Sequence, residues 1–144
     1  MKAKKIIKFY ILFFKIVCYI IYGLNNNSIF TRYAMKYFCK EEDRNGTDYH
    51  EFQKGKWYKQ THFDSHSILI RDDLFREIGL KSLCEKCIPE YEYYSGSVIT
   101  EATWKKMLKE AKKQGGALEE ALLEAEPWAK DNFLTEESFS ILGI

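Results

Sequence analysis

An α+β domain, a small antiparallel sheet covered by helices, is the fold class that this sequence predicts, and three observations carry it. Short apolar or alternating runs bounded by turn residues recur between positions 35 and 70. Helical periodicity takes over at Asp72 and ends in two helices joined by Gly115-Gly116, an αα-hairpin. A last apolar run, Phe139-Ser140-Ile141-Leu142, is placed to return as a final strand.

The chain divides at Met35. Residues 1–34 carry six Lys/Arg and no acid, whereas residues 35–144 carry sixteen Lys/Arg against twenty-one Asp/Glu, a balance of −5. Three readings compete for the basic segment. Ile6 to Leu24 is 19 residues long, about enough to span a membrane as an anchor with its N-terminus inside. Lys8 and Lys15 interrupt that run, so insertion is marginal. As a signal peptide it lacks a small-x-small cleavage site before Asn25. As a misread start it fits its composition, since Lys, Ile, Phe, Tyr and Asn make up 23 of its 34 residues. Residues 35–144 form the single globular domain in every case.

In that domain Met35 to Lys40 is a short run of large side chains, and Asn45-Gly46 is a two-residue hairpin turn. Thr47 to Phe52 is the return strand, with Tyr49 and Glu51 on one side and His50 and Phe52 on the other. Lys56 to Lys59 is a further strand, and Ser65 to Ile70 a buried one. Asp72 or Asp73 caps a helix whose buried stripe is Leu74, Phe75 and Ile78, with Gly79 ending its regular part. Tyr91 to Ile99 has strand composition, interrupted by Ser95-Gly96-Ser97 as a bulge or tight turn. The next helix places Trp104, Met107, Leu108 and Ala111 on one face. Ala117 to Glu126 is the last helix, with Leu118, Ala121, Leu122 and Ala125 inward and Pro127 as its end.

Composition narrows the function classes more than motifs do. No Gly-x-Ser-x-Gly elbow, Walker loop or dinucleotide fingerprint occurs, and His50-Glu51, Asp64-Ser65-His66 and Asp72-Asp73 are the compact acid/base clusters. Lys54-Gly55-Lys56-Trp57-Tyr58-Lys59 mixes cations and aromatics as single-strand nucleic-acid sites do, but the −5 balance opposes phosphate. Lysines guarding a sheet edge explain the same residues. Cys84-Glu85-Lys86-Cys87 sits too late in its helix for a redox motif, and the domain's three cysteines leave one unpaired in any disulfide scheme. That odd count favours a reducing compartment, hence the cytoplasm.

The sharpest metal pattern is His62-x3-His66 with Cys84-x2-Cys87, the ligand count of a tetrahedral zinc site. Strand spacing around His66 and the lack of a glycine after Cys87 speak against it, so no cofactor is expected and zinc is the alternative. The preferred expectation is a non-enzymatic domain acting by protein–protein binding. Tyr91, Glu92, Tyr93 and Tyr94 interleave rigid contact area with carboxylates, which suits a basic protein surface. Glu119 and Glu120 form a second acidic patch. A small acidic α+β inhibitor of immunity type, neutralising a basic toxin, is a specific version consistent with charge and size.

Overall fold

The computed structural model describes residues 35–58 and 61–144. The basic segment, with the span expected at residues 6–24, lies outside them. Among the described residues no helix is long and apolar enough to cross a membrane.

Four strands form one antiparallel sheet: β1 (Tyr49–Lys54), β2 (Ile68–Arg71), β3 (Gly96–Thr100) and β4 (Ser138–Leu142), in the order β2-β1-β4-β3. Around it lie α1 (Asp72–Glu77), α2 (Leu80–Cys87), α3 (Glu101–Gln114) and α4 (Gly116–Phe133). The α+β class is therefore as expected, and so is the C-terminal helix pair. The final strand β4 is not an addition at the margin; it holds β1 on one side and β3 on the other.

Register sorts the side chains by face. Phe52 lies opposite Ile68 and Ile141, His50 opposite Ile70, and Ile99 opposite Phe139. These residues line the face that the helices cover. Phe139 is the hub there, with the rings of Phe52, Trp104, Trp128 and Phe133 at 5.7, 5.6, 5.2 and 5.7 Å. The periodic stripe of α3 supplies Trp104, Met107 and Ala111, all buried, with Leu108 at its border. The opposite face buries Glu51, Gln53 and Ser140 beneath the loop that follows β1.

Several local expectations are corrected. Asn45-Gly46 does not join two strands, because Glu41–Asp43 forms a 3-10 turn closed by Arg44 N–H on the Glu41 carbonyl. Among the described residues before it, backbone pairing to the sheet occurs at Cys39, which bridges Leu69, while Phe38 packs its ring on Phe52, so β1 pairs with β2 instead. Lys56 to Tyr58 is not a strand either; the Trp57 N–H is taken by the Ser140 hydroxyl at 2.9 Å, leaving no ladder to join. Tyr91 to Tyr94 is a loop, and Ser95-Gly96-Ser97 is where the strand starts rather than where it breaks. Glu90, at φ +54°, turns the chain out of extended geometry just ahead of the tyrosines.

Asp72 is the first residue of α1 rather than its cap; Arg71 holds the cap position without a side-chain bond. Gly79, at φ +89°, separates α1 from α2 as expected, since only glycine takes that conformation freely. Pro127 lies inside α4, not at its end. Pro127 and Leu123, whose carbonyl would have been the missing bond's acceptor, are both on the exposed side. Burial of Ala129 and Asn132 in the next turn offsets the interruption, which costs about 3 kcal/mol in an unsupported helix.

Candidate functional site

Ile88 to Ser95 connects α2 to β3 and carries the tyrosines singled out from sequence. Their side chains alternate in destination. Tyr91 and Tyr93 are half-buried, whereas Glu92 and Tyr94 face solvent, Tyr94 with 78% of its surface exposed. The loop is tied at both ends. Glu92 N–H donates to Ser97 Oγ at 3.0 Å, and Gly143 N–H donates to the Ser95 carbonyl at 2.7 Å. A side chain on Gly143 would run into the Tyr93 carbonyl, so β4 can lie this close only with glycine there.

Below the loop, Asp72 collects three donors. Its Oδ1 accepts from His50 Nε2 at 2.8 Å and from the Tyr93 hydroxyl, and its Oδ2 accepts from Arg76 Nε at 3.1 Å. Burial alone would raise the Asp72 carboxyl; the bonds from Tyr93 and His50 and the charge of Arg76 outweigh it and hold the group below the usual carboxylate range. Tyr93 is pushed up to about 12 by burial and by that bond, so its hydroxyl stays protonated and donates. Tyr94 stands edge-on against Tyr93, with centroids 4.8 Å apart and planes at 86°. An exposed ring is thus fixed by a chain of contacts running through Tyr93 and Asp72 to β1.

His50 is fully buried and stacked on Phe75 at 3.9 Å. With Nε2 donating to Asp72, Nδ1 is an acceptor with no partner among the described residues. Burial outweighs the attraction of Asp72 and lowers the His50 pKa, because a second N–H would find no acceptor there. A carboxylate that orients an imidazole is half of a catalytic triad. Here no hydroxyl or thiol among the described residues bonds the free nitrogen, and Asp72 also accepts from the Tyr93 hydroxyl of the loop. Beside it a cleft of about 510 Å³ is lined by residues 45–49 with Arg71, Asp72, Asp73 and Arg76. Arg71 pairs with Asp73 and Arg76 with Asp72.

The other sequence candidates are scattered. Glu120 is engaged internally, accepting from Lys36 Nζ at 2.9 Å and the Tyr37 hydroxyl at 2.6 Å. Its neighbour Glu124 takes the backbone N–H groups of Lys36, Tyr37 and Phe38 at 2.9–3.0 Å. Glu119 instead borders a groove of about 400 Å³ between α3 and α4, with Leu108, Leu122 and Leu123 as its apolar part. His62 and His66 are exposed in the loop before β2, His62 edge-on to Trp57 and His66 beside Asp64. Cys84 and Cys87 are buried one turn apart in α2, and burial pushes both thiols up. Among the described residues no group of three His, Cys, Asp or Glu is placed to hold a metal ion.

Sequence reasoning singled out Tyr91 to Tyr94 as strand rather than loop and missed what supports them. His50 and Asp72 each belonged to a compact acid/base cluster in the chain, and the fold pairs them across 22 positions instead. Comparisons with protein-family models, curated proteins and solved structures returned no match for this chain.

Proposed function

We propose that this chain is a non-enzymatic protein-binding domain whose Tyr91–Tyr94 loop docks a basic surface of a partner. One observation carries the proposal: Tyr94 is 78% exposed yet held edge-on by Tyr93, whose hydroxyl is bound to Asp72. An exposed aromatic that is already immobilised loses little conformational entropy on binding, which is what an interface anchor needs. Glu90 and Glu92 precede it, both exposed and without an ion-pair partner among the described residues. They would steer a cation-rich partner and set the salt dependence of its association. The most specific form of this reading is an inhibitor of immunity type that neutralises a basic protein, supported by the −5 balance of residues 35–144.

The test starts from a photo-reactive residue at position 94 of the full chain, expressed in its native cells, to capture and identify the partner. The purified partner is then titrated against wild type, Tyr94→Ala and Glu92→Lys. Tyr94→Ala should weaken binding by about tenfold or more, the usual cost of truncating an interface anchor. Glu92→Lys should mainly slow association and flatten its salt dependence. Wild-type affinity in both variants would place the interface elsewhere.

A further inference from the structure

The two margins of the sheet differ. On β2 the outward groups of Leu69 are satisfied, since Cys39 N–H donates to the Leu69 carbonyl at 2.8 Å and Leu69 N–H to the Cys39 carbonyl at 2.9 Å. On β3 nothing among the described residues pairs with the outer side. The Gly143 N–H on the Ser95 carbonyl fixes which groups those are. Hydrogen-bonded pairs alternate along an antiparallel ladder, so Ser97 and Ile99 bond inward to Ile141 and Phe139. Gly96, Val98 and Thr100 therefore direct their N–H groups outward. Gly96 and Val98 direct their carbonyls the same way, while the Thr100 carbonyl belongs to the first turn of α3.

Natural sheets protect such margins with lysines, proline, bulges or a covering segment. Gly96-Ser97-Val98-Ile99-Thr100 has none of the first two, its pairing with β4 runs without a bulge, and Val98 is 44% exposed. We infer that the outer edge of β3 accepts an extended, basic segment of the partner as a fifth strand, an inference that rests on the docking reading above and names its mode. Charge selects this occupant over a second copy of the chain. Glu90 and Glu92 precede the strand and Glu101 follows it. A second copy running antiparallel would set its own Glu101, only partly offset by Lys105 at 3.1 Å, at the end of the strand that Glu90 and Glu92 precede, gathering acid with acid. A lysine- or arginine-bearing strand meets Glu90 and Glu92, which have no ion-pair partner among the described residues, at the end where Tyr94 stands.

The probe is a capped seven-residue peptide of alternating lysine and valine, titrated into the full 144-residue chain labelled with nitrogen-15. Binding should slow hydrogen exchange at the amides of Gly96, Val98 and Thr100 while leaving those of β2 unchanged. The same peptide N-methylated throughout keeps its charge but loses its donors, and should bind at least about tenfold more weakly. Val98→Pro removes one outward N–H and none that bonds β4, so the fold survives and binding should fall by about tenfold. Equal affinity for the methylated peptide, or no change on Val98→Pro, would overturn the edge as the site. Protection that appears without peptide and grows with protein concentration would also overturn it, by assigning the edge to a second copy. Tyr94→Ala separates the two proposals. Binding lost on Tyr94→Ala but kept on Val98→Pro leaves the loop standing and removes the edge. The reverse keeps the edge and removes the loop.

Discussion

The two faces of one sheet are buried by different chemistry, the second adding hydrogen-bonded polar groups to its apolar Leu69 and Leu142. On the helix side Phe52, Ile68, Ile70, Ile99, Phe139 and Ile141 meet rings and alkyl groups from α3 and α4. On the other side Glu51, fully buried, accepts from Phe63 N–H at 2.7 Å, Asp64 N–H at 2.9 Å and Ser67 Oγ at 2.6 Å. Ser140 takes Trp57 N–H there and donates to the Gly55 carbonyl at 3.0 Å. Apolar contact is non-directional and tolerates rearrangement. A buried carboxylate binds its loop only while every donor stays in place. The helix side should therefore govern how much stability the domain has, and the loop side where the chain between β1 and β2 lies.

Phe139→Ala tests the first half of that contrast and should have the largest effect. Removing a ring in contact with four others costs about 3–5 kcal/mol, read from the midpoint of urea unfolding at unchanged slope. Glu51→Ala should cost less, about 2–3 kcal/mol, because it orphans buried donors without opening a large cavity. Its distinguishing mark is local: amide exchange should accelerate around Phe63 and Asp64 while α3 and α4 keep their protection. If both variants loosened the whole domain equally, the faces would not be separable.

His50 is a buried titratable group on the helix side, and pH isolates its share. Its pKa lies below the ordinary 6.5, so the unfolded chain binds its proton first. The stability it contributes is fully present above pH 6.5 and is lost as pH falls through its lowered folded value. Asp72, held below 3.8, extends the loss toward stronger acid. His50→Gln keeps a donor to Asp72 without titrating, so the decline that sets in as pH falls below 6.5 should disappear from its unfolding curve. Smallest of all, Lys36→Ala removes an exposed, solvent-screened ion pair to Glu120 and should leave the midpoint of urea unfolding essentially unchanged. The backbone of residues 36–38 remains clamped by Glu124.

The same contrast explains what was legible in the chain. Trp104, Met107 and Ala111 declared a helix face because their spacing alone fixes their side, and the β4 apolar run declared a strand for the same reason. Glu51 could not be read so. In an alternating strand a carboxylate reads as outward, and its donors lie 12 to 16 positions later in an irregular loop. Tyr91 to Tyr94 have β-favouring side chains, yet Tyr93 is drawn inward by a carboxylate, and Glu90 has already turned the backbone. Pro127 gave a valid local stop signal that the packing of Ala129 and Asn132 overrode. Local spacing was visible; bonds between segments were not.

The central place of β4 also governs when the domain can close during synthesis. β1 and β3 share no hydrogen bonds, so the β1–β2 pair and β3 stay separate until residues 138–142 have been made. About ninety residues of emerging chain must wait with the apolar sides of both pieces uncovered, and contacts this far apart in sequence form slowly. A ribosome that stalled just before Ser138 would release two half-surfaces with open margins, a ready substrate for a chaperone or for aggregation.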